Sequence, residues 1–154
     1  MGEGNRYSIE NYIFDPILIA ALLLDEKAIT RKDLGLTSNE NYSEFKHLSD
    51  EQLQTISDFI INKVSEKLSP INNETIKVKF VMGKEIEIPL WYLHHEGHPL
   101  EEFLENFLKQ TFGELKRFHQ AGDIRKRITE KFIDDIPEFI SSDVLEVFRQ
   151  IQNH

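Results

Sequence analysis

The sequence predicts an α+β fold: one mainly α-helical domain spanning residues 1–154, with a single antiparallel β-hairpin at about residues 75–92. Three observations predict it. Apolar residues recur at helical spacing in several separate stretches. Strict apolar/charged alternation occurs in one place only, Thr75 to Leu93. Helix starts and stops are marked by local capping chemistry between these stretches.

The first helix begins at Asp15-Pro16. Asp is a good N-cap, and Pro suits the first helical position, where its missing N–H has no partner to lose. The run Ile17 to about Ala28 is apolar nearly all round, which predicts a helix buried on most faces. Residues 29–47 are polar and weakly periodic and read as loop, with Gly35 and the stretch from Thr37 to Ser43 as the strongest signals. Ser49 and Gln52 form a capping box. The helix after it carries Leu53, Ile56, Phe59, Ile60, Val64 and Leu68 on one stripe and stops at Ser69-Pro70.

In the hairpin, a loop of Val81, Met82 and Gly83 pairs Lys79 with Glu85, Lys77 with Glu87, Val78 with Ile86 and Ile76 with Ile88. Opposite charges then share one face and apolar residues the other. Gly83 falls where this loop needs a left-handed residue. A slip by one residue would set Phe80 against Glu85. Pro89 places the second strand at an edge or at its end. The segment from His94 to Pro99 reads as loop. Leu100, Phe103, Leu104, Phe107, Leu108 and Phe112 then form a helical stripe, with Glu101, Glu102 and Glu105 suited to its positive N-terminal end. Asp123 reads as the cap of a helix bearing Ile124, Ile128, Phe132 and Ile136, ended by Pro137. Ser141 or Ser142 caps a last helix with Leu145, Phe148 and Ile151.

Composition limits the function. The formal net charge is -9, and phosphate contacts supply most protein affinity for nucleic acid, so the chain is a poor autonomous nucleic-acid binder. There are no cysteines, which excludes disulfides and thiolate metal sites and fits a reducing compartment. No apolar run nears the ~20 residues of a membrane span, and no secretory signal pattern opens the chain. These features predict a cytoplasmic protein without membrane contact.

Glu10 stands in the middle of an otherwise apolar stretch from Arg6 to Pro16. A buried carboxylate must be paired or bind a cation, so Glu10 is either a surface residue paired with Arg6 or a metal-site residue. Asn11 and Asp15 fit turn and cap roles. His94, His95 and His98 are candidate metal ligands by residue type, but Gly97 and Pro99 disfavour presentation of His94 and His98 on one helix face, and no second ligand pair has zinc-type spacing. A local basic excess, Lys116, Arg117, His119, Arg125, Lys126, Arg127 and Lys131, reads as a phosphate-contacting face or as a solvated surface paired with Glu114, Asp123 and Glu130. No P-loop, dinucleotide fingerprint or hydrolase triad is present.

The segment Arg6-x-x-Ile9-Glu10-Asn11-Tyr12-x-x-Asp15-Pro16 resembles one in the TOPRIM/OLD-like nuclease region of ATPase-associated bacterial defence proteins. Leu93-His94-x-x-Gly97-His98-x-Leu100-Glu101 and Ile136-Pro137-x-Phe139-Ile140 are similar to later segments of that family. The resemblance implies metal-dependent phosphodiester cleavage with Mg2+ or Mn2+. It makes Glu10 a catalytic and metal-site carboxylate and His98 a catalytic residue facing phosphate; the candidate nucleic-acid contacts are then Arg6 and, from the basic run, Lys116, Arg117, Arg125 and Arg127. The family's upstream glutamate and Asp-x-Asp pair do not occur here; Asp134-Asp135 is adjacent, not spaced. The resemblance therefore implies the C-terminal portion of a longer nuclease, and Met1-Gly2-Glu3-Gly4 fits a cut made just before the motif. On that reading nucleic acid and metal are engaged only in the full-length context, and no cofactor is expected for the chain alone. The alternative is a non-enzymatic helical interaction module whose apolar helix 16–28 serves a second copy or another protein.

Overall fold

A computed structural model describes residues 14–36, 42–66, 74–80, 82–89, 92 and 97–132, with side chains of 97–101 excepted. It is mainly helical with a two-stranded antiparallel sheet. The element α1 (Pro16–Asp25) runs through the centre, and every residue from Pro16 to Leu23 is buried. Around it stand α2 (Asp50–Ser65), the strands β1 (Thr75–Lys79) and β2 (Glu85–Pro89), α3 (Gly97–Thr111) and α4 (Asp123–Arg127). Short 3-10 turns lie at Lys32–Leu34, Tyr42–His47 and Gly113–Arg117, and a π-helical turn at Ile128–Phe132 follows α4 directly. The helix α1 packs against α2, the Tyr42–His47 turn and the π-helical turn.

The start of α1 follows local chemistry. Asp15 Oδ1 accepts the Ile17 N–H at 2.9 Å while Asp15 is itself 2% exposed. The end of α1 differs from expectation. The helix stops at Asp25, three residues short of Ala28. Lys27 takes a left-handed conformation, φ 61°. The Ala28 N–H reaches Leu23 O at 2.8 Å and the Lys27 N–H reaches Leu24 O at 3.1 Å. That is a Schellman stop, normally built on glycine.

The capping box of α2 is formed: Ser49 N–H donates to Gln52 Oε1 at 2.9 Å, and Gln52 N–H donates to Ser49 Oγ at 3.2 Å. Leu53, Ile56, Ile60 and Val64 are buried on the expected stripe, with Ile61 and Ser57 beside them. The hairpin register is the expected one, Lys79 against Glu85 through Ile76 against Ile88, and Thr75 against Pro89 at its end. Gly83 has φ 95° and its N–H closes the turn onto Phe80 O at 2.9 Å. The sheet docks on α2 through Gln54. Its side-chain amide accepts from the Glu87 N–H at 2.6 Å and donates to Glu87 O at 2.8 Å, serving the β2 edge as a strand would. At the turn end, Lys84 Nζ donates to Lys46 O at 3.1 Å and to Leu48 O.

Three expectations change. Residues 29–47 are not a plain polar loop: Ile29, Leu34, Leu36 and Phe45 are buried and anchor it to the core. The helix α3 starts at Gly97, inside the stretch read as loop, and Pro99 falls in its first turn, where proline is tolerated because the N–H groups lack intrahelical partners. Asp123 is the first residue of α4, and the N-cap is Gly122 at φ 88°. The stripe of α4 continues into the wider turn, with Ile124, Ile128 and Phe132 all fully buried. Leu68, Trp91, Ile136, Pro137 and the helix expected after Ser141 lie outside the described residues.

Candidate functional site

Two sequence motifs meet the described fold at one buried hydrogen bond. Tyr92, fully buried, donates its hydroxyl to Phe14 O at 2.6 Å. Phe14 is the fourth residue after Glu10, and Tyr92 the sixth before His98. Fully extended, such tethers reach about 14 Å and about 21 Å. Tethers of these lengths do not fix the separation of Glu10 and His98. Arg6, Glu10, Asn11, His94 and His95 lie outside the described residues, as does the side chain of His98.

The basic run is tied down by the end of α1. Arg117 Nε donates to Glu26 Oε1 at 2.6 Å. Arg127 Nη2 bonds Asp25 Oδ2 at 3.2 Å and lies 3.7 Å from Glu26 Oε2. Lys131 Nζ donates to Asp25 Oδ2 at 3.0 Å. The carboxylate partners are thus Asp25 and Glu26, not the sequence-local Glu114, Asp123 and Glu130. Two acids at a helix C-terminus oppose the macrodipole, and three cations compensate them. Arg117 and Arg127 are therefore ion-paired within the chain, and a phosphate contact by either competes with its own carboxylate. Arg127 Nε is buried with no hydrogen-bond partner among the described residues. Lys116 and Arg125 are exposed. Lys131 also sits 5.6 Å from the centroid of Tyr42 and 5.9 Å from that of Phe132. Tyr42 and Phe132 meet edge to face at 5.0 Å.

Sequence reasoning missed one carboxylate. Glu105 was expected on the α3 surface near its positive end. It is 5% exposed and accepts the Gly122 N–H at 2.8 Å, tying α3 to the start of α4. Its position one residue after Leu104 and two before Phe107 put it beside the apolar stripe, which is the signal that was available.

A cleft of about 540 Å³ opens where α1 ends, lined by Leu24, Asp25, Lys27, Ile29, Thr30, Arg31, Tyr42 and Ser43. Among the described residues, no group of three or more His, Asp or Glu side chains is arranged to hold a metal ion. The helix 16–28 offers no apolar docking face from Pro16 to Leu23, because those residues are buried within the chain. No described helix is long and apolar enough to cross a membrane. No protein-family model, curated protein or solved structure matches the chain.

Proposed function

We propose that the chain is the C-terminal part of a TOPRIM/OLD-like, metal-dependent nuclease region, working in the reducing cytoplasm on nucleic acid and active only when joined to carboxylates it does not itself carry. The reading is carried by the Arg6 to Pro16 and Gly97-His98 motifs and their order in the chain. In this reading Glu10 shares the metal with an Asp-x-Asp pair supplied from elsewhere. His98 holds or donates a proton at the phosphate. When bound, Mg2+ or Mn2+ supplies an activated water and stabilises charge on the phosphate. Arg6, Lys116 and Arg125 contact the strand directly, whereas Arg117 and Arg127 do so only by exchanging Asp25 and Glu26 for phosphate.

The test is Mn2+-dependent cleavage of supercoiled DNA and of single-stranded RNA by the protein as encoded in its gene. Wild type should cleave one of them. Glu10→Ala and His98→Ala should each lose about 100-fold, with unchanged circular dichroism. Cleavage that survives both substitutions, or no cleavage of either substrate, overturns the proposal.

The burial of α1 counts against the interaction module in its proposed form, since the face it needs is already covered.

A further inference from the structure

The cleft at the end of α1 combines apolar walls with two exposed cations. Its walls are Leu24, Ile29 and Tyr42, with the Thr30 and Ser43 hydroxyls between them. Two cations, Lys27 and Arg31, line it, and neither has a carboxylate partner among the described residues. The cations Arg117, Arg127 and Lys131, by contrast, are paired with Asp25 and Glu26. Both ion pairs to Asp25 fall on Oδ2, which leaves Oδ1 as an acceptor at the cleft wall. Lys27 holds its place at φ 61°, a conformation glycine would take without strain. A costly backbone that carries a cation to a cleft rim is the kind of strain found at ligand sites. The volume lies within the range of small-ligand sites.

We infer that this cleft binds a phosphate monoester on a flat apolar body, the chemistry shared by a mononucleotide and by the 5′-phosphorylated end of a strand. Lys27 and Arg31 neutralise the dianion. Leu24, Ile29 and Tyr42 cover the apolar body. Asp25 Oδ1 accepts from its amino group, and Thr30 and Ser43 serve its hydroxyls. The site uses neither Glu10 nor His98 and needs no metal.

Titration calorimetry in EDTA tests it, with AMP, a 5′-phosphorylated oligonucleotide, the same oligonucleotide with a 5′-hydroxyl, adenosine and inorganic phosphate as probes. AMP or the phosphorylated strand should bind saturably, and whichever binds tighter names the source. Adenosine, phosphate and the 5′-hydroxyl strand should bind at least about tenfold more weakly, as the loss of a charge-assisted contact implies. Arg31→Gln should weaken binding about tenfold. Lys27→Gly should do the same while raising the melting temperature by about 2–4 °C, so its loss of affinity cannot be a folding defect. No saturable binding of either phosphorylated probe, equal binding of adenosine and AMP, or affinity unchanged in both variants overturns the inference. Because EDTA removes the metal, failure here leaves the nuclease reading standing, and failure of cleavage leaves this site standing.

Discussion

The two ends of α1 solve one problem by opposite means. At the N-terminal end the ties between described residues are a local cap and a neutral hydrogen bond: Asp15 caps, Pro16 starts, and the Tyr92 hydroxyl meets the Phe14 carbonyl. At the C-terminal end the chain stops on two acids and a left-handed lysine, and the compensating charges come from positions 117, 127 and 131. The first end is a dry, geometric lock. The second is a charged one next to a cleft, with the Asp25 and Glu26 side chains 19% and 8% exposed and their cations more so. The second end responds to salt through its exposed cations, and the first does not, while a buried group left without its hydrogen bond costs its full desolvation.

The largest expected effect that sharpens this contrast is at the dry end. Tyr92→Phe leaves the Phe14 carbonyl buried without its donor and should lower unfolding free energy by about 2 kcal/mol, measured by urea denaturation, with no dependence on salt. Loss of less than half of that would mean the carbonyl finds another partner. Asp15→Ala should cost about 1 kcal/mol through the lost cap. At the charged end, Glu26→Gln should cost about 1 kcal/mol at low salt, of which 1 M NaCl removes only a part, because the Glu26 side chain is 8% exposed while its partner Arg117 is 59% exposed. An equal cost at both salt concentrations would show that the two ends do not differ in kind.

How much of this was legible in the sequence follows the same division. The hairpin register was readable because Lys77 and Lys79 face Glu87 and Glu85 in only one alignment and Gly83 marks the turn. The Ser49–Gln52 box was readable because both partners lie within one turn. The end of α1 was not, since a lysine occupies the position where a glycine would have announced it. Nor were the partners of Arg117, 91 positions from Glu26, because charge complementarity over that distance is set by packing. The wide turn at Ile128–Phe132 hid behind four-residue apolar spacing, which a regular helix also tolerates. Of the candidate site, the acidic residue and the glycine–histidine pair were singled out by pattern and resemblance. The hydrogen bond from the Tyr92 hydroxyl to the Phe14 carbonyl was not legible, because nothing in the spacing of a tyrosine says which carbonyl it will meet.

The proposed nuclease site requires the carboxylate of Glu10 to lie beside His98. The chain has no cysteine, so Glu10→Cys gives a single attachment point for a nitroxide spin label. The expected result is loss of the His98 imidazole signal to paramagnetic broadening, restored when the label is reduced. A His98 signal equally sharp with the label oxidised and reduced would contradict it.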